Sequence, residues 1–198
     1  VGVSAYQVEK LKLKFAHNDA GRVKEVFEQQ FAKNEVHTAL FDEVDVRVLQ
    51  NETATKERVL RELSDLIDRM SPRDSAVLFL AGHGFDDKER PPGLLLADNA
   101  RGGALRPECY LFAPVDCKEG KEFETCISDE EIGQMFWKAQ GQVLIILDTC
   151  RSGAFQFGKA LTTDVALRVG RAKFGIQVFA ATDKGQDAHE YTTSHCGM

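Results

Sequence analysis

The chain has 198 residues, with 25 Lys and Arg against 31 Asp and Glu, and 43% of its residues are hydrophobic, which describes one soluble globular domain and excludes fibrous and disordered classes. A net charge of −6 without any basic run argues against a nucleic-acid surface or a polybasic membrane surface, both of which need clustered Lys and Arg. No apolar stretch approaches the roughly 20 residues of a membrane span and no signal-peptide pattern opens the chain, so a reducing, cytoplasmic setting is expected.

In chain order, Val1-Gly2-Val3 reads like the middle of a strand, and Cys196-Gly197-Met198 arrives without a terminating element. The chain is therefore expected to be a single domain over 1–198, cut at both ends. Between Asn18 and Phe31 the apolar residues Val23, Val26, Phe27 and Phe31 recur at helical spacing, and then Val44, Val46 and Val48 alternate with Asp45 and Arg47 as in a half-exposed strand. Asn51 or Thr53 is expected to cap a second helix with the stripe Val59, Leu60, Leu63, Leu66, Ile67 and Met70, ended by Ser71-Pro72. The continuous apolar run Ala76 to Leu80 predicts a strand covered on both faces, running into Ala81-Gly82-His83-Gly84.

From Phe85 to Thr125 the chain reads mostly as loop, with one apolar piece at Tyr110 to Ala113. Ser128-Asp129-Glu130-Glu131 is a capping box, opening a helix with Ile132, Met135 and Phe136 inward. Val143 to Leu147 predicts the most apolar strand, ending at Asp148-Thr149-Cys150-Arg151-Ser152-Gly153. A short helix over 160–170 and a last strand from Ile176 to Ala180 complete the pattern. Strands alternating with helices predict an α/β fold whose sheet is largely parallel, with the functional site outside the strand C-termini.

Two of these strands run straight into small-residue turns bearing reactive groups, His83 on one and Cys150 on the other. A thiol of ordinary pKa is only a few per cent thiolate at neutral pH, so a cysteine nucleophile wants an imidazole within reach. Glycines at Gly82, Gly84 and Gly153 let a substrate backbone approach closely, and the N–H groups of Gly84 and Cys150 are candidates for an oxyanion site. Acyl transfer is the chemistry these parts suit.

Phe79-Leu80-Ala81-Gly82-His83-Gly84, followed later by Leu147-Asp148-Thr149-Cys150-Arg151-Ser152-Gly153, closely resembles the caspase-like peptidases of family C14, in particular metacaspases and their bacterial relatives. The likeness extends to Gly2 to Tyr6, Ala16 to Ala20, Tyr110 to Asp116, Ala180 to Thr182 and Ala188 to Glu190. It implies a caspase-like three-layer α/β/α sandwich with a mostly parallel central sheet. It also implies a dyad in which His83 is the acid/base and Cys150 the nucleophile, with His83 serving mainly to protonate the leaving amine where the two do not bond directly. The positions of Asp19 and Asp148 match those lining an acidic pocket for the residue before the scissile bond, so cleavage of protein or peptide substrates after Arg or Lys is expected. Two partly desolvated carboxylates suit a guanidinium fork and repel a substrate Asp.

The chain departs from the family at Ala81, where metacaspases often carry a serine, and between Arg151 and Gly158, which contains no carboxylate of the kind that binds activating calcium. No metal site or other cofactor is therefore expected, and Asp86, Asp87 and Glu89 read as a solvated loop. His17, His37, His189 and His195 lack metal-ligand spacing. The odd set of five cysteines, without a C-x-x-C pair, indicates neither a disulfide framework nor a zinc knuckle; Cys109, Cys117 and Cys126 read as incidental thiols, with Cys117 a candidate to face the cleft. Two alternatives stand beside the Arg/Lys-specific peptidase: a catalytically silent caspase-like interaction domain in a signalling or defence complex, and an Asp-specific protease using Arg22 or Arg151. Lys159, Arg168, Arg171 and Lys173 are candidate self-processing sites, and regulatory domains or a partner chain outside the fragment are compatible with the expected cuts.

Overall fold

A computed structural model of the chain describes residues 1–31, 41–86, 110–150 and 176–181. The central sheet is built on β1 (Ser75–Gly82) and β5 (Gln142–Thr149), which pair in parallel from Ser75↔Gln142 to Gly82↔Thr149. Beyond β5 lies β6 (Ile176–Ala180), also parallel. On the other side of β1 the chain start joins the sheet through single parallel bridges, Gly2 to Ala81 and Gly2 to Gln50. Their hydrogen bonds include Val3 N–H to the Ala81 carbonyl at 3.0 Å and Asn51 N–H to the Gly2 carbonyl at 3.1 Å.

The two faces of this sheet differ. On β5, Val143, Ile145, Leu147 and Thr149 are fully buried, whereas Leu144, Ile146 and Asp148 on the opposite face are half-buried, as is Cys150 just past the strand. The buried face joins Ala76, Leu78 and Leu80 of β1 to helix α2 (Lys56–Asp68) through Val59, Leu63 and Ile67, and to α4 (Asp129–Phe136) through Ile132 and Phe136. Helix α1 (Ala16–Phe31) packs on the opposite face, over Gly2, completing an α/β/α sandwich. The positions 3.6 residues apart in α2 that the sequence marks as apolar are those that meet the sheet.

A second, small antiparallel sheet of β2 (Gly84–Asp86), β3 (Tyr110–Phe112) and β4 (Ile127–Ser128) grows from the end of β1, in the order β2-β3-β4. Of the stretch read as mostly loop, 87–109 lies outside the described residues; the apolar piece expected at Tyr110 forms β3, buried at all three residues, and a short helix α3 (Glu122–Thr125) precedes β4. Strands of two or three residues lack the length to show a period in sequence, and the partners that make them strands are remote.

Two further expectations are corrected. The alternation at Val44, Val46 and Val48 does put half-buried valines between exposed residues, but no ladder forms there; only Gln50 bridges, to Gly2. The cap of α2 is Thr55, whose hydroxyl accepts from Arg58 N–H, and Asn51 to Thr53 form a separate 3₁₀ turn. Asn51 takes a left-handed φ of 45°, and its Oδ1 accepts from Ser4 and Ala5 N–H at 2.9 Å each, so the residue is spent on tying down the chain start. The capping box of α4 forms as read: Ser128 Oγ accepts from Glu131 N–H at 3.1 Å, and Glu131 Oε2 accepts from Ser128 N–H at 2.9 Å.

Glycine at position 2 is required by packing. A Cβ there would lie 2.4 Å from the Ala16 carbonyl oxygen and 2.8 Å from the Ala20 Cβ, both on the first turns of α1. Gly2→Ala is expected to force α1 off the sheet and lower the unfolding free energy by about 1–3 kcal/mol, as read from urea denaturation.

Candidate active site

The C-terminal ends of β1 and β5 set the positions of His83 and Cys150. Their register ends at Gly82↔Thr149, so the next residue on each strand is His83 on one and Cys150 on the other. Contact continues past the ladder: a Cβ on Gly84 would lie 2.3 Å from the Cys150 carbonyl oxygen, so only glycine lets the two backbones approach this closely. Both His83 and Cys150 are half-buried, open enough to meet a substrate.

The imidazole is fixed from three sides. Its Nε2 lies 2.9 Å from the Leu11 carbonyl oxygen. A carbonyl only accepts, so Nε2 carries the hydrogen, and in the neutral ring Nδ1 is left as the basic nitrogen. The ring lies 5.2 Å from that of Tyr6 and stacks on Phe85 at 6.1 Å.

The main chain of His83 is held by the Tyr6 hydroxyl. His83 N–H donates to it at 2.8 Å, and it donates in turn to the Ala113 carbonyl at 3.3 Å. Ala113 N–H donates directly to the His83 carbonyl at 3.0 Å, so the phenol oxygen is inserted into one side of the β2–β3 ladder where β1 gives way to β2. Gly82 makes room for it: its φ is +146°, and a Cβ there would sit 2.6 Å from the Tyr6 oxygen. Burial pushes the Tyr6 phenol pKa up, which keeps it a neutral donor. Alternation in the antiparallel ladder then turns the Gly84 N–H away from β3, the orientation an oxyanion donor on this strand needs.

A second tyrosine serves the cysteine strand. The hydroxyls of Tyr110 and Thr149 lie 2.7 Å apart, both fully buried, next to Cys150 and against Gly84. Burial pushes the Tyr110 phenol pKa up as well. Sequence reading assigned no role to Tyr6, Tyr110, Thr149 or the Leu11 carbonyl. Tyr6 and Tyr110 stand within segments that carry the family likeness, but a main-chain carbonyl has no side-chain signature to find.

Of the carboxylates, Asp148 lies in register with Ala81, which is itself bridged to Gly2, so the three form one row across the half-open face. Helix α1 covers that row at Gly2, and Asp19 stands in its first turn, 8% exposed. The start of α1 is pinned by Ser4 Oγ, which accepts from His17 N–H at 3.1 Å and pairs with His17 Nδ1 at 2.9 Å, and by Gln50 Nε2, which donates to the His17 carbonyl at 2.6 Å. His17 is thus a hydrogen-bonded residue of the helix start. Cys117 does not face the cleft: it is buried against Cys126. Arg151, Gly153, Asp87, Glu89, Cys109, Cys196, His37, His189, His195, the helix over 160–170 and the four candidate processing residues lie outside the described residues.

Tyr6→Phe removes the oxygen shared by His83 N–H and the Ala113 carbonyl and leaves both buried groups without it. The expected cost is about 1–3 kcal/mol in urea denaturation.

Among the described residues no group of three or more His, Cys, Asp or Glu is arranged to hold a metal ion, and no helix is long and apolar enough to cross a membrane. No curated protein matches the chain. Among solved structures, a crystal structure of a Geobacter sulfurreducens protein, a structural-genomics target, is similar with a TM-score of 0.52 at 17% identity, over 77% of this chain and 49% of that one. The chain thus spans about half the length of that protein, and the likeness is one of fold. The metacaspase peptidase C14 domain matches residues 1–156. With the sandwich of helices about a parallel sheet, that match gives the chain a caspase-like fold and makes it a member of the metacaspase, peptidase C14, family.

Proposed function

We propose that the chain is a cysteine endopeptidase that cleaves protein or peptide substrates after Arg or Lys, with His83 and Cys150 as its dyad. The observation that carries this reading is the Nε2 contact to the Leu11 carbonyl, on a histidine that follows β1 just as Cys150 follows β5, the two strands pairing to their last residues at Gly82↔Thr149. That contact leaves Nδ1 as the ring nitrogen able to accept a proton.

In the proposed reaction Nδ1 takes the thiol proton of Cys150, and the thiolate attacks the scissile carbonyl carbon. The negative oxygen of the tetrahedral intermediate is met by the N–H groups of Gly84 and Cys150. As the intermediate collapses the C–N bond breaks, the imidazolium gives its proton to the departing amine, and an acyl-thioester remains. Water then attacks the thioester with His83 as base, releasing the carboxylate product and the thiol. No metal or cofactor enters these steps. The Leu11 carbonyl opposes no charge in the resting ring and stabilises the imidazolium when it forms.

Specificity for a basic residue rests on Asp148 and Asp19. Asp148 lies two residues before Cys150 on the same half-open face, and Asp19 stands in the helix that covers this face. A guanidinium accommodated there gains charge-assisted hydrogen bonds, whereas a substrate Asp meets like charge. Ala81, fully buried in the same row, supplies no hydroxyl, so selectivity depends on the two carboxylates.

Matched fluorogenic peptides ending in Arg, Lys or Asp test this directly. The full chain is expected to hydrolyse the Arg and Lys peptides and not the Asp peptide, and Cys150→Ala to lose activity by a factor on the order of 10³ or more. Full activity in Cys150→Ala would overturn the dyad. Asp148→Asn is expected to lower kcat/KM for the Arg peptide on the order of 10²-fold with an unchanged thermal midpoint. An undiminished Arg preference in that variant would remove Asp148 from the specificity pocket.

A further inference from the structure

The segment that leads from β3 to β4 closes on itself through two cysteines. Cys117 and Cys126 bring their sulfurs to 3.0 Å, about 1 Å beyond the roughly 2.05 Å of a covalent S–S bond. Both side chains are buried, at 1% and 0% exposure. The approach is not incidental to a loose loop, because each end is anchored. Cys117 N–H donates to the Pro114 carbonyl at 3.1 Å, and Cys126 N–H to the Glu122 carbonyl at 2.7 Å. Between them, Lys118 N–H donates to Thr125 Oγ1 at 3.0 Å, and Lys56 Nζ reaches the Cys126 carbonyl at 2.7 Å.

The same segment buttresses the proposed site. Its Ala113 carbonyl receives the Tyr6 hydroxyl, its Val115 carbonyl accepts from Gln7 N–H at 3.2 Å, and Asp116 Oδ1 accepts from Lys56 N–H at 2.9 Å at the start of α2. From these contacts we infer that Cys117 and Cys126 form a peroxide-oxidisable dithiol, whose disulfide clamps the strap between β3 and β4. The two thiols are not equivalent. A hydrogen bond from Cys126 favours the thiolate at Cys117 and lowers its pKa, while the donor role and burial push Cys126 up, so Cys117 is the sulfur that reacts first.

With hydrogen peroxide the chemistry balances in two steps. The Cys117 thiolate attacks one peroxide oxygen, the O–O bond breaks, and with one proton this gives a sulfenic acid at Cys117 and the first water. The Cys126 sulfur then attacks the sulfenic sulfur, the S–O bond breaks, and the hydroxide leaves as the second water with the Cys126 proton. Two thiols are oxidised by two electrons and the peroxide is reduced. Lys118 to Lys121, all exposed over a turn at Gly120, form the outer side of the strap through which a molecule as small as peroxide would enter on local opening. In a reducing compartment such a cross-link is transient and regulatory.

The test uses the full chain with Cys109→Ser, Cys150→Ala and Cys196→Ser, so that only this pair remains and the outcome is independent of peptidase activity. Folded protein treated with hydrogen peroxide and then denatured and alkylated is expected to lose both reactive thiols and to yield a peptide joining 117 to 126 by mass spectrometry. Its thermal midpoint is expected to rise on the order of 5 °C, reversibly with dithiothreitol. Two alkylatable thiols after treatment, or a cross-link that forms only in urea, would overturn the dithiol. A cross-link that leaves the midpoint unchanged would overturn the clamp.

Discussion

The parallel register of β1 against β5 is the constraint on which the rest of the proposed site depends. Eight consecutive residue pairs, from Ser75↔Gln142 to Gly82↔Thr149, leave little freedom in where the next residues fall. Because side chains alternate across a strand, a slip of one residue would exchange the faces of β5, sending Asp148 into the core and Leu147 to the open side. The fully buried row Val143, Ile145, Leu147 and Thr149 opposes such a slip with the burial of three branched aliphatic side chains. Core packing and site geometry are therefore one requirement.

What happens just past the register is decided by two buried phenols. Tyr6 substitutes its hydroxyl for a main-chain partner at the point where β1 leaves the large sheet and β2 joins the small one. Tyr110, from the small sheet, reaches Thr149 at the end of the large one. The Tyr6 phenol thus sits beside Gly82 and the Tyr110–Thr149 pair beside Gly84, and the absence of side chains at the two glycines admits both. Such bonds are worth little net when made and a good deal when broken, because each buried partner is then left without water or protein to pair with. This asymmetry favours rigidity over gross stability, which suits the preorganisation the proposed acyl transfer needs.

The strap between β3 and β4 extends the same logic outward. It holds Ala113 and Val115 against the segment of Tyr6, and Asp116 against the first turn of α2. Lys56 ties α2 to both the strap and α4 through the Cys126 carbonyl and Glu131, at 2.7 and 3.0 Å. In the proposed dithiol, a chemical change at Cys117 and Cys126 acts on this frame, one layer removed from His83.

Local patterns in the sequence determined the long elements. The stripe of α2, the capping box at Ser128, and the continuous apolar runs of β1 and β5 are properties of neighbouring residues, and the ends of those two runs pointed to His83 and Cys150. Motif likeness pointed to Asp19 and Asp148. Only the tertiary structure decided that Thr55 rather than Asn51 caps α2, that the valines at 44, 46 and 48 form no ladder, and that the region after Phe85 carries a second sheet. It alone paired His83 with the Leu11 carbonyl and Cys117 with Cys126. Each of these depends on a partner remote in sequence or on a main-chain atom, and side-chain periodicity carries no record of either.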